Sequence, residues 1–581
     1  SISILLLLLV FSQAFVNIYD YDVWFHIKAG EYMLSNFEIL SRDVFSYTAL
    51  DSPWVAHEWL FEVMLYIIAA IGSLVAVTVF KAAVICAIFA LYLRHFRRIS
   101  ISMPVTIVFL TLASLLARER FIERPEIISY LFSAAFIVML ETIRRNRTGL
   151  ISWKDDRLWL FPVLMVLWAN FHSGAIFAIA ICGAYASGEI LSSLAKGLFG
   201  ANKMSLKEII GGSVKLRVFF SIFIAIFFVG FLNPNTLHVY TYPFLALDIS
   251  SQTGLNLAEY TKPLWARDSL FFISFAISLI IILINIIFNR RAIVLAHMML
   301  YIFFSALALK FNRNIAIWAI VVVPFIAFYF EEIISWWSAV SPSHPFKGEG
   351  LKVARGEKLP VRGGGVLRPL ILVGSIILSI AMVAPFVVST VQSNSWGPGI
   401  KEGRFPEAAI SFLDDNSITG NMFNSYEFGG YILWRSYPER MVYIDGRSDI
   451  YTELLMEQKK LSILGFEKLI EKYDVNYLIM SYSKTTAGYV NPNPVFGSEL
   501  ALIWFDDVSM VYLRRTDENE ELIRRYEYRY VRPADTELRF TNLNEPAQLA
   551  SELERNIKES PGGWRSRALL NELYRRFGRE G

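Results

Sequence analysis

The sequence predicts a polytopic α-helical membrane protein with about eleven transmembrane helices and a C-terminal extracytoplasmic α/β domain. Hydrophobic residues make up 55% of the 581 positions, charged residues make up 18%, and the mean hydropathy is +0.43. Soluble enzymes of this length are typically less apolar. The apolar residues form runs of spanning length before residue 392, whereas the later runs have the length of β-strands.

Ten apolar runs are of spanning length or slightly shorter, and a Trp-flanked stretch at 157–170 brings the prediction to about eleven. They lie at 1–17, 73–93, 101–117, 127–143, 174–187, 218–232, 269–288, 293–309, 315–330 and 369–391. The first run is long enough for a signal peptide, but it lacks a basic leader and a small-residue cleavage site. We therefore expect a retained first helix whose beginning is missing.

Loops rich in Lys and Arg predict the orientation, because short basic loops normally stay in the cytoplasm. They lie on alternate loops, at 94–98, 144–147, 196–217, 289–291 and 347–368. The alternation requires that 58–72, with its two glutamates, lies along the membrane surface or dips into the bundle. We predict a cell-membrane protein whose outer face holds 18–57, 117–126, 169–174, 233–267, 310–314 and everything after 391.

We predict five segments along the chain, divided where the hydropathy and the content of basic residues change. They are a transmembrane core (1–335), a cytoplasmic basic linker (336–368), a last transmembrane helix (369–391), the extracytoplasmic α/β domain (392–535) and a helical C-terminal extension (536–581).

Alternating helical and strand patterns make the outer domain an α/β structure. We predict a helix at 405–416, a strand ending in a polar turn at 440–447 and a helix followed by a strand at 466–482. A hairpin is predicted at 501–515.

The charge balance and the cysteines exclude several classes of function. A net charge of +3 gives no reason to expect a nucleic-acid partner. Cys86 and Cys182 lie in apolar runs without CxxC spacing, so neither a disulfide framework nor a thiolate metal site is predicted. The stretch 57–61, HEWLF, lacks the second histidine of an HExxH zinc site.

The stretch DYDVWFHIKAGEYM, residues 20–33, carries the main candidate site. Asp20 and Asp22 project to the same side of an extended chain. Such a pair could bind a divalent cation, Mg²⁺ or Mn²⁺, or one carboxylate could act as a general base toward an acceptor. The alternative is that they only cap the following helix. His26, Asp43 and Glu58 are candidates for accessory roles.

Basic residues near the ends of the predicted spans lie on the outer face, against the positive-inside tendency. They are Arg118, Arg120, Arg124, Lys310 and Arg313. They could extend to lipid headgroups, which is a structural role. Alternatively, the arginines could bind an anionic lipid phosphate through their planar guanidinium groups.

Two stretches of the outer domain, 424–434 and 443–451, are candidates for the side that contacts the acceptor. Their candidate residues are Tyr426, Glu427, Gly429, Gly430, Asp445 and Arg447. Adjacent glycines allow a close backbone approach, and the charged residues form a compact cluster. The alternative is an ordinary turn with a local ion pair.

The motif at 20–34, followed by RDVFSYT and PWVAHEWL, resembles the first outer loop of bacterial GT-C-fold integral-membrane glycosyltransferases with polyprenyl-phosphate-linked donors. RPEIISYLF, WANFHSG and FNRNIAIW, at 124–132, 168–174 and 311–318, are similar to features of poorly characterised members. The resemblance implies a GT-C bundle with an acidic outer site that transfers a sugar, with inversion, to a glycan, lipid or protein.

Several residue roles are implied by this resemblance. Asp20 or Asp22 would activate the acceptor or organise a metal, and Arg118, Arg120, Arg124 and Arg313 would hold the leaving lipid phosphate. His172 and Glu259 are further accessory candidates, since the family places a functional carboxylate in a later outer loop. The acceptor motif WWDxG of the oligosaccharyltransferase catalytic subunit has its nearest counterpart in YEFGG, 426–430, which lacks the tryptophans and the aspartate.

Three alternatives remain open at this point. One is an oligosaccharyltransferase-like enzyme with a lipid-diphosphate donor and a protein acceptor. Another is a transporter of lipid-linked glycans, although the internal repeats and midplane charges typical of transporters are not seen in the sequence. The last is a non-catalytic subunit that retains the fold.

Overall fold

The computed structural model describes residues 2–146, 157–199, 213–253, 261–340, 367–460, 466–482, 499–538, 541 and 543–578. Contacts divide the chain into two compact units. The helical unit consists of Ser1–Ile18, Gly72–Pro243 and Ala258–Gly399, and the mixed unit consists of Tyr19–Ile71, Phe244–Leu257 and Ile400–Gly581. Residues 19–71, which we predicted to belong to the transmembrane core, therefore cluster with the C-terminal residues.

Helices account for every apolar run predicted before residue 392. They are α1 (Ile2–Ala14), α2 (Val23–Asn36), α3 (Trp59–Arg98), α4 (Met103–Ala117), α5 (Glu126–Arg145), α6 (Leu160–Phe171), α7 (Ile176–Phe199), α8 (Val214–Val229), α9 (His238–Thr253), α10 (Trp265–Phe288), α11 (Leu295–Lys310), α12 (Asn314–Val340) and α13 (Leu367–Gln392). Helix α2 belongs to the mixed unit, as does the start of α3. Most of the predicted linker, 341–366, lies outside the described residues.

Six helices in the described part of the chain are long and apolar enough to cross a membrane. They are Trp59–Arg98, Glu126–Arg145, Ser173–Ala195, Trp265–Phe288, Asn314–Ser338 and Pro369–Gln392. Three shorter apolar helices are Ile2–Ala14, Leu160–Phe171 and Leu295–Lys310. These helices indicate a multi-pass membrane protein, while the number of eleven spans stays a prediction.

Helix α3 is interrupted where the boundary between the two units falls. The backbone leaves helical geometry at Gly72 (φ −126°, ψ 16°) and at Ser73 (φ 60°, ψ −173°). The sequence predicts a change at the same point, from the non-crossing segment 58–72 to the spanning run 73–93. Whether 58–72 lies on the membrane surface stays a prediction.

The C-terminal part of the mixed unit contains the predicted α/β structure. Its elements are α14 (Glu407–Asp415), β1 (Asn421–Asn424), α15 (Gly429–Ser436), α16 (Thr452–Lys460), α17 (Phe466–Lys472), β2 (Val475–Ser481), β3 (Leu500–Phe505), β4 (Ser509–Arg514), α18 (Glu520–Tyr526), α19 (Pro546–Glu559) and α20 (Arg565–Phe577). The sheet order is β1-β2-β4-β3, with β1 parallel to β2 and the other pairs antiparallel. The predicted helix at 405–416, the helix and strand at 466–482 and the hairpin at 501–515 are confirmed.

The strand predicted at 440–447 is wrong. Only an isolated bridge joins Val442 to Ser46 in this stretch. The Asn424 side chain accepts the amide N–H of Tyr443 (2.9 Å) and donates to the carbonyl of Ile444 (2.7 Å). The Asn424 side chain thus satisfies the hydrogen-bonding capacity of this N–H and this carbonyl. The segment therefore needs no neighbouring strand at that position.

The helices of the predicted C-terminal extension contribute to the apolar core of the mixed unit. Leu549 and Leu553 of α19 and Leu569 and Leu573 of α20 are buried in the same apolar cluster as the inner face of the sheet. Ala49 of the first loop belongs to this cluster too. Three distant parts of the chain therefore share one core.

A buried ionic cluster ties the first loop to the segment after Val442. Arg447 Nη1 donates to Asp43 Oδ1 (2.7 Å), and its Nε and Nη2 donate to the two carboxylate oxygens of Asp445 (2.8 and 2.5 Å). The hydroxyl of Tyr451 also donates to Asp445 (3.0 Å). Burial opposes the charge of Arg447, but Asp445 and Asp43 outweigh this effect, so the pKa of Arg447 lies well above its usual value.

The substitution Asp43→Asn tests how far the mixed unit depends on this cluster. Removing one partner of a buried ionic cluster destabilises a protein by about 3 kcal/mol or more, because the remaining charge is incompletely compensated. We expect a clear fall in the melting temperature of the detergent-purified protein. The matched control is Glu457→Gln, which breaks the exposed Glu457–Lys472 pair and costs about 1 kcal/mol or less. Equal melting temperatures for the two variants would contradict the anchoring role.

Candidate functional site

The acidic motif lies where the chain enters α2. Asp22 occupies the N-cap position (φ −83°, ψ −22°), but its side chain makes no capping hydrogen bond. Asp20, which is 7% exposed, accepts the amide N–H of Asp22 through Oδ2 at 3.3 Å. Capping of α2 therefore does not explain the Asp22 carboxylate.

The Asp22 carboxylate packs against the backbone of Gly446. A Cβ atom at Gly446 would lie 2.3 Å from Asp22 Oδ1, so a larger residue would displace the carboxylate. The hydroxyl of Tyr426 donates to the carbonyl of Gly446 at 2.9 Å and fixes this segment. Tyr426, one of the predicted acceptor-side residues, and Asp22 of the acidic motif thus both contact Gly446.

The adjacent glycines of α15 serve packing within the unit. A Cβ atom at Gly429 would lie 2.0 Å from the carbonyl oxygen of Ile444, and one at Gly430 would lie 2.9 Å from that of Tyr21. Glu427 is buried and accepts the hydroxyl of Ser481. The close approach that these glycines allow is therefore to the protein's own backbone.

Asp43, Asp445 and Arg447 are placed in the buried cluster that anchors the first loop. Their side chains are almost completely buried and satisfy one another. These predicted site residues hold the loop in position and expose almost no charged atoms for an acceptor.

A histidine and two glutamates meet beside the acidic motif. His26 Nδ1 lies 3.1 Å from Glu62 Oε1, and His26 Nε2 lies 3.8 Å from Glu58 Oε2. Of the residues that the structure describes, these three form the one group of His, Cys, Asp or Glu side chains placed to share a metal ion. Asp20 and Asp22 belong to no such group, although Asp22 precedes His26 by one helical turn.

Local sequence explains how this cluster forms. His26 and Gly30 are four residues apart and lie on one face of α2, and Glu58 and Glu62 have the same spacing at the start of α3. A Cβ atom at Gly30 would lie 2.0 Å from the carbonyl oxygen of Glu62. Glycine at this position lets the two helices approach closely enough for His26 to reach both glutamates.

The second histidine of this region orients Glu58. His57 donates from Nδ1 to the carbonyl of Val55 (3.1 Å), and its Nε2 lies 3.2 Å from Glu58 Oε1. Burial lowers the pKa of His57, but the charge and hydrogen bond of Glu58 outweigh it and the pKa is raised. The pKa of His26 is raised as well, because the Glu62 hydrogen bond and the Glu58 and Glu62 charges outweigh its burial.

The arginines of the helical unit converge partly on Glu126, the first residue of α5. Arg120 Nε donates to Glu126 Oε2 at 3.0 Å, and Arg313 donates to Oε1. Arg124 acts on the same carboxylate electrostatically. Arg118 instead lies over the ring of Phe386, 4.6 Å from its centre.

The remaining accessory candidates are His172, which the structure describes, and Glu259, which it does not. His172 Nδ1 accepts the amide N–H of Gly174 (3.1 Å) and the hydroxyl of Ser129 (2.7 Å). These bonds hold the turn between α6 and α7, which is a structural role. Glu259 lies outside the described residues.

Sequence reasoning missed a buried ion pair in the helical unit. Lys81 Nζ lies 2.6 Å from Glu123 Oε1, both side chains are fully buried, and Lys81 also donates to the carbonyl of Val16 at 3.0 Å. The sequence does contain a sign of this pair, because Lys81 lies in the middle of an otherwise apolar run. A charged residue in such a run is rarely left without a partner of opposite charge. Glu62 was missed too, although its spacing from Glu58 indicates a shared helix face.

Known structures with a similar fold are oligosaccharyltransferases from Archaeoglobus fulgidus. AglB in complex with an inhibitory peptide and a dolichol-phosphate has a TM-score of 0.56 and 11% identity, over 100% of this chain and 86% of that chain. The apo form has a TM-score of 0.53 and 11% identity, over 99% of this chain and 86% of that chain. The form tethered with an acceptor peptide containing the NVT sequon has a TM-score of 0.54 and 11% identity, over 89% of this chain and 74% of that chain.

No protein-family model matches the sequence, and no curated protein has significant sequence similarity to it. At 11% identity the structural likeness shows the fold alone. It extends over the whole chain, so it covers both the helical and the mixed unit. The GT-C fold that the sequence predicts is therefore confirmed: this chain has the fold of a membrane oligosaccharyltransferase.

Proposed function

We propose that this protein is an integral-membrane glycosyltransferase that transfers a sugar from a polyprenyl-phosphate-linked donor to an acceptor outside the cytoplasm. The observation that carries the proposal is the acidic motif at the start of α2, in a chain that shares the GT-C fold over its whole length. The acceptor is a glycan, a lipid or a protein.

Asp20 and Asp22 are the proposed catalytic residues. One of their carboxylates takes the proton from the acceptor hydroxyl. At the same time, the oxygen of that hydroxyl attacks the anomeric carbon of the donor sugar. The bond from that carbon to the phosphate oxygen breaks, and the lipid phosphate leaves with the electron pair. This single displacement inverts the anomeric configuration. Asp22 is suited to the role because its carboxylate lies at the start of α2, where it packs against the backbone of Gly446.

The arginines of the helical unit are proposed to bind the lipid phosphate. Arg120 and Arg313 each bond one oxygen of Glu126, and Arg124 acts on the same carboxylate. Three guanidinium groups around one carboxylate leave an excess of positive charge, which favours a phosphate dianion. Fixed cations that stabilise the leaving group lower the barrier by several kcal/mol. Arg118 is the fourth member of the proposed set.

An oligosaccharyltransferase-like reaction, with a lipid-diphosphate donor and a peptide acceptor, is the second candidate. It is favoured by the likeness to AglB, whose structure contains a peptide and a dolichol-phosphate. The outer-domain stretch YEFGG lacks the tryptophans of the acceptor motif, and its glycines pack against the protein's own backbone. We therefore place the polyprenyl-phosphate sugar first. The shared fold also favours an enzyme over a transporter of lipid-linked glycans, but a non-catalytic subunit would share that fold.

Asparagine substitutions test the catalytic proposal. Purified protein is assayed with a panel of radiolabelled polyprenyl-phosphate sugars, and Asp20→Asn and Asp22→Asn are compared with the wild type. Loss of a general base typically lowers the rate by about 10²- to 10⁴-fold, and we expect this for at least one variant without a change in melting temperature. The control is Asp51→Asn, an exposed residue of the same loop. Wild-type transfer by both variants would end the catalytic assignment.

The phosphate site is tested by Arg313→Gln and Arg120→Gln. We expect each to weaken binding of the donor and of free polyprenyl phosphate by about tenfold or more, because a bidentate cation is replaced by a neutral amide. Binding of the free lipid phosphate is measured directly, so the result does not require turnover. Arg267→Gln, which removes an exposed arginine paired with Asp268, is the matched control. Unchanged lipid binding in both variants would exclude the assignment.

The proposed orientation is tested by cysteine labelling in a background without Cys86 and Cys182. Ser41→Cys and Glu518→Cys, both at exposed positions, should react with a membrane-impermeant maleimide in intact cells. Arg98→Cys, at the basic C-terminal end of α3, should react only after lysis. Protection of Ser41→Cys before lysis would reverse the predicted topology.

A further inference from the structure

Beyond the proposed catalytic aspartates, the mixed unit contains a second cluster of chemically active side chains. His26 comes from α2, Glu58 immediately precedes α3, and Glu62 lies in the first turn of α3. One ligand atom from each residue lies within 4.8 Å of those of the other two. We infer that His26, Glu58 and Glu62 form a binding site for one divalent transition-metal ion, such as Mn²⁺ or Zn²⁺.

The first support is the separation of the ligand atoms. One ligand atom from each of the three side chains lies within 4.8 Å of the other two, and His26 Nδ1 and Glu62 Oε1 are 3.1 Å apart. Two ligand atoms that each lie about 2.1 Å from one ion are separated by about 3 to 4 Å. The three side chains are therefore close to the separation that one shared ion requires.

The second support is an unsatisfied oxygen. Glu62 is 1% exposed, and its Oε2 atom has no hydrogen-bond partner within the described part of the chain. A buried carboxylate oxygen without a donor is strongly unfavourable. A bound cation would satisfy it. This observation is independent of the spacing, since a simple His26–Glu62 hydrogen bond uses only Oε1.

The surroundings of the cluster also match those of a metal site. His57 lies 3.2 Å from Glu58 Oε1 and thereby leaves Glu58 Oε2 directed toward His26. Outer contacts of this kind orient the ligating carboxylates of metal sites. The close approach at Gly30 fixes the distance between the two helices, so His26 and Glu62 come from rigid elements, and Glu58 directly precedes one of them.

The donor set defines the chemical class of the ion. One imidazole nitrogen with two carboxylates suits Mn²⁺, Zn²⁺ or Fe²⁺, whereas Mg²⁺ prefers oxygen ligands and retains most of its waters. The site therefore differs in both place and preference from the Mg²⁺ or Mn²⁺ site that the sequence suggests at Asp20 and Asp22. A cation here would lie one helical turn along α2 from Asp22.

Direct metal binding tests the inference without any transfer assay. The full-length protein in detergent is stripped with a chelator, and binding of added Mn²⁺ is measured from the loss of the free-ion electron paramagnetic resonance signal. We expect about one ion per chain, displaced by Zn²⁺ at lower concentration than by Mg²⁺. Glu62→Gln and His26→Gln should each lower the affinity at least tenfold, and Mn²⁺ should raise the melting temperature of the wild type but not of these two variants.

The matched controls are Asp20→Asn and Asp22→Asn, which should keep the ion. If these two variants lose it while Glu62→Gln retains it, the ion belongs to the aspartate pair and the inference is wrong. Absence of saturable Mn²⁺ and Zn²⁺ binding in the folded wild type would likewise overturn it, and the cluster would then be an ion pair around a protonated His26. Because the measurement needs no donor, failure of the proposed transfer reaction leaves its outcome interpretable.

Discussion

The mixed unit depends on the buried contact of Arg447 with Asp43 and Asp445. Each of these charges would be unfavourable alone in the interior, so each requires the other two in place. The constraint holds a loop near the start of the chain against a segment about 400 residues later. Through Gly446, which lies between Asp445 and Arg447, the same segment forms the surface against which the Asp22 carboxylate packs.

Helix α2 organises the chemistry that follows from this anchoring. Asp22, His26 and Gly30 succeed one another at intervals of four residues and share one face. The first provides the proposed catalytic carboxylate, the second a nitrogen ligand, and the third the space for the neighbouring helix. The proposed catalytic carboxylate and the proposed metal ligand are thus separated by a single turn of one helix. This separation allows a cation to bind without occupying the carboxylates that would act as the base.

Local patterns predicted most of the elements, and long-range contacts account for what they missed. The apolar runs, the helix at 405–416 and the hairpin at 501–515 follow from periodicity, which is a property of neighbouring residues. The strand predicted at 440–447 is wrong because Asn424 satisfies its backbone from another part of the chain. The grouping of 19–71 with the C-terminal residues depends on Asp43, Arg447 and the shared core. For the site, the sequence proposed His26 and Glu58 as accessory residues, and the structure brings both together with Glu62, whose contact with His26 depends on the close approach of α2 at Gly30. The roles of Asp20 and Asp22 stay predictions.

The Lys81–Glu123 pair has a consequence for how the protein is assembled in the membrane. Insertion of a helix with a lysine near its centre costs about 3 kcal/mol when the charge has no partner. Glu123 is synthesised after the whole of α3 and α4, so the carboxylate reaches Lys81 only when α5 begins to enter. The carbonyl of Val16, already present, is the earlier contact for the lysine. The charge of Lys81 is therefore compensated by Glu123 only when α3 and the segment between α4 and α5 have come together.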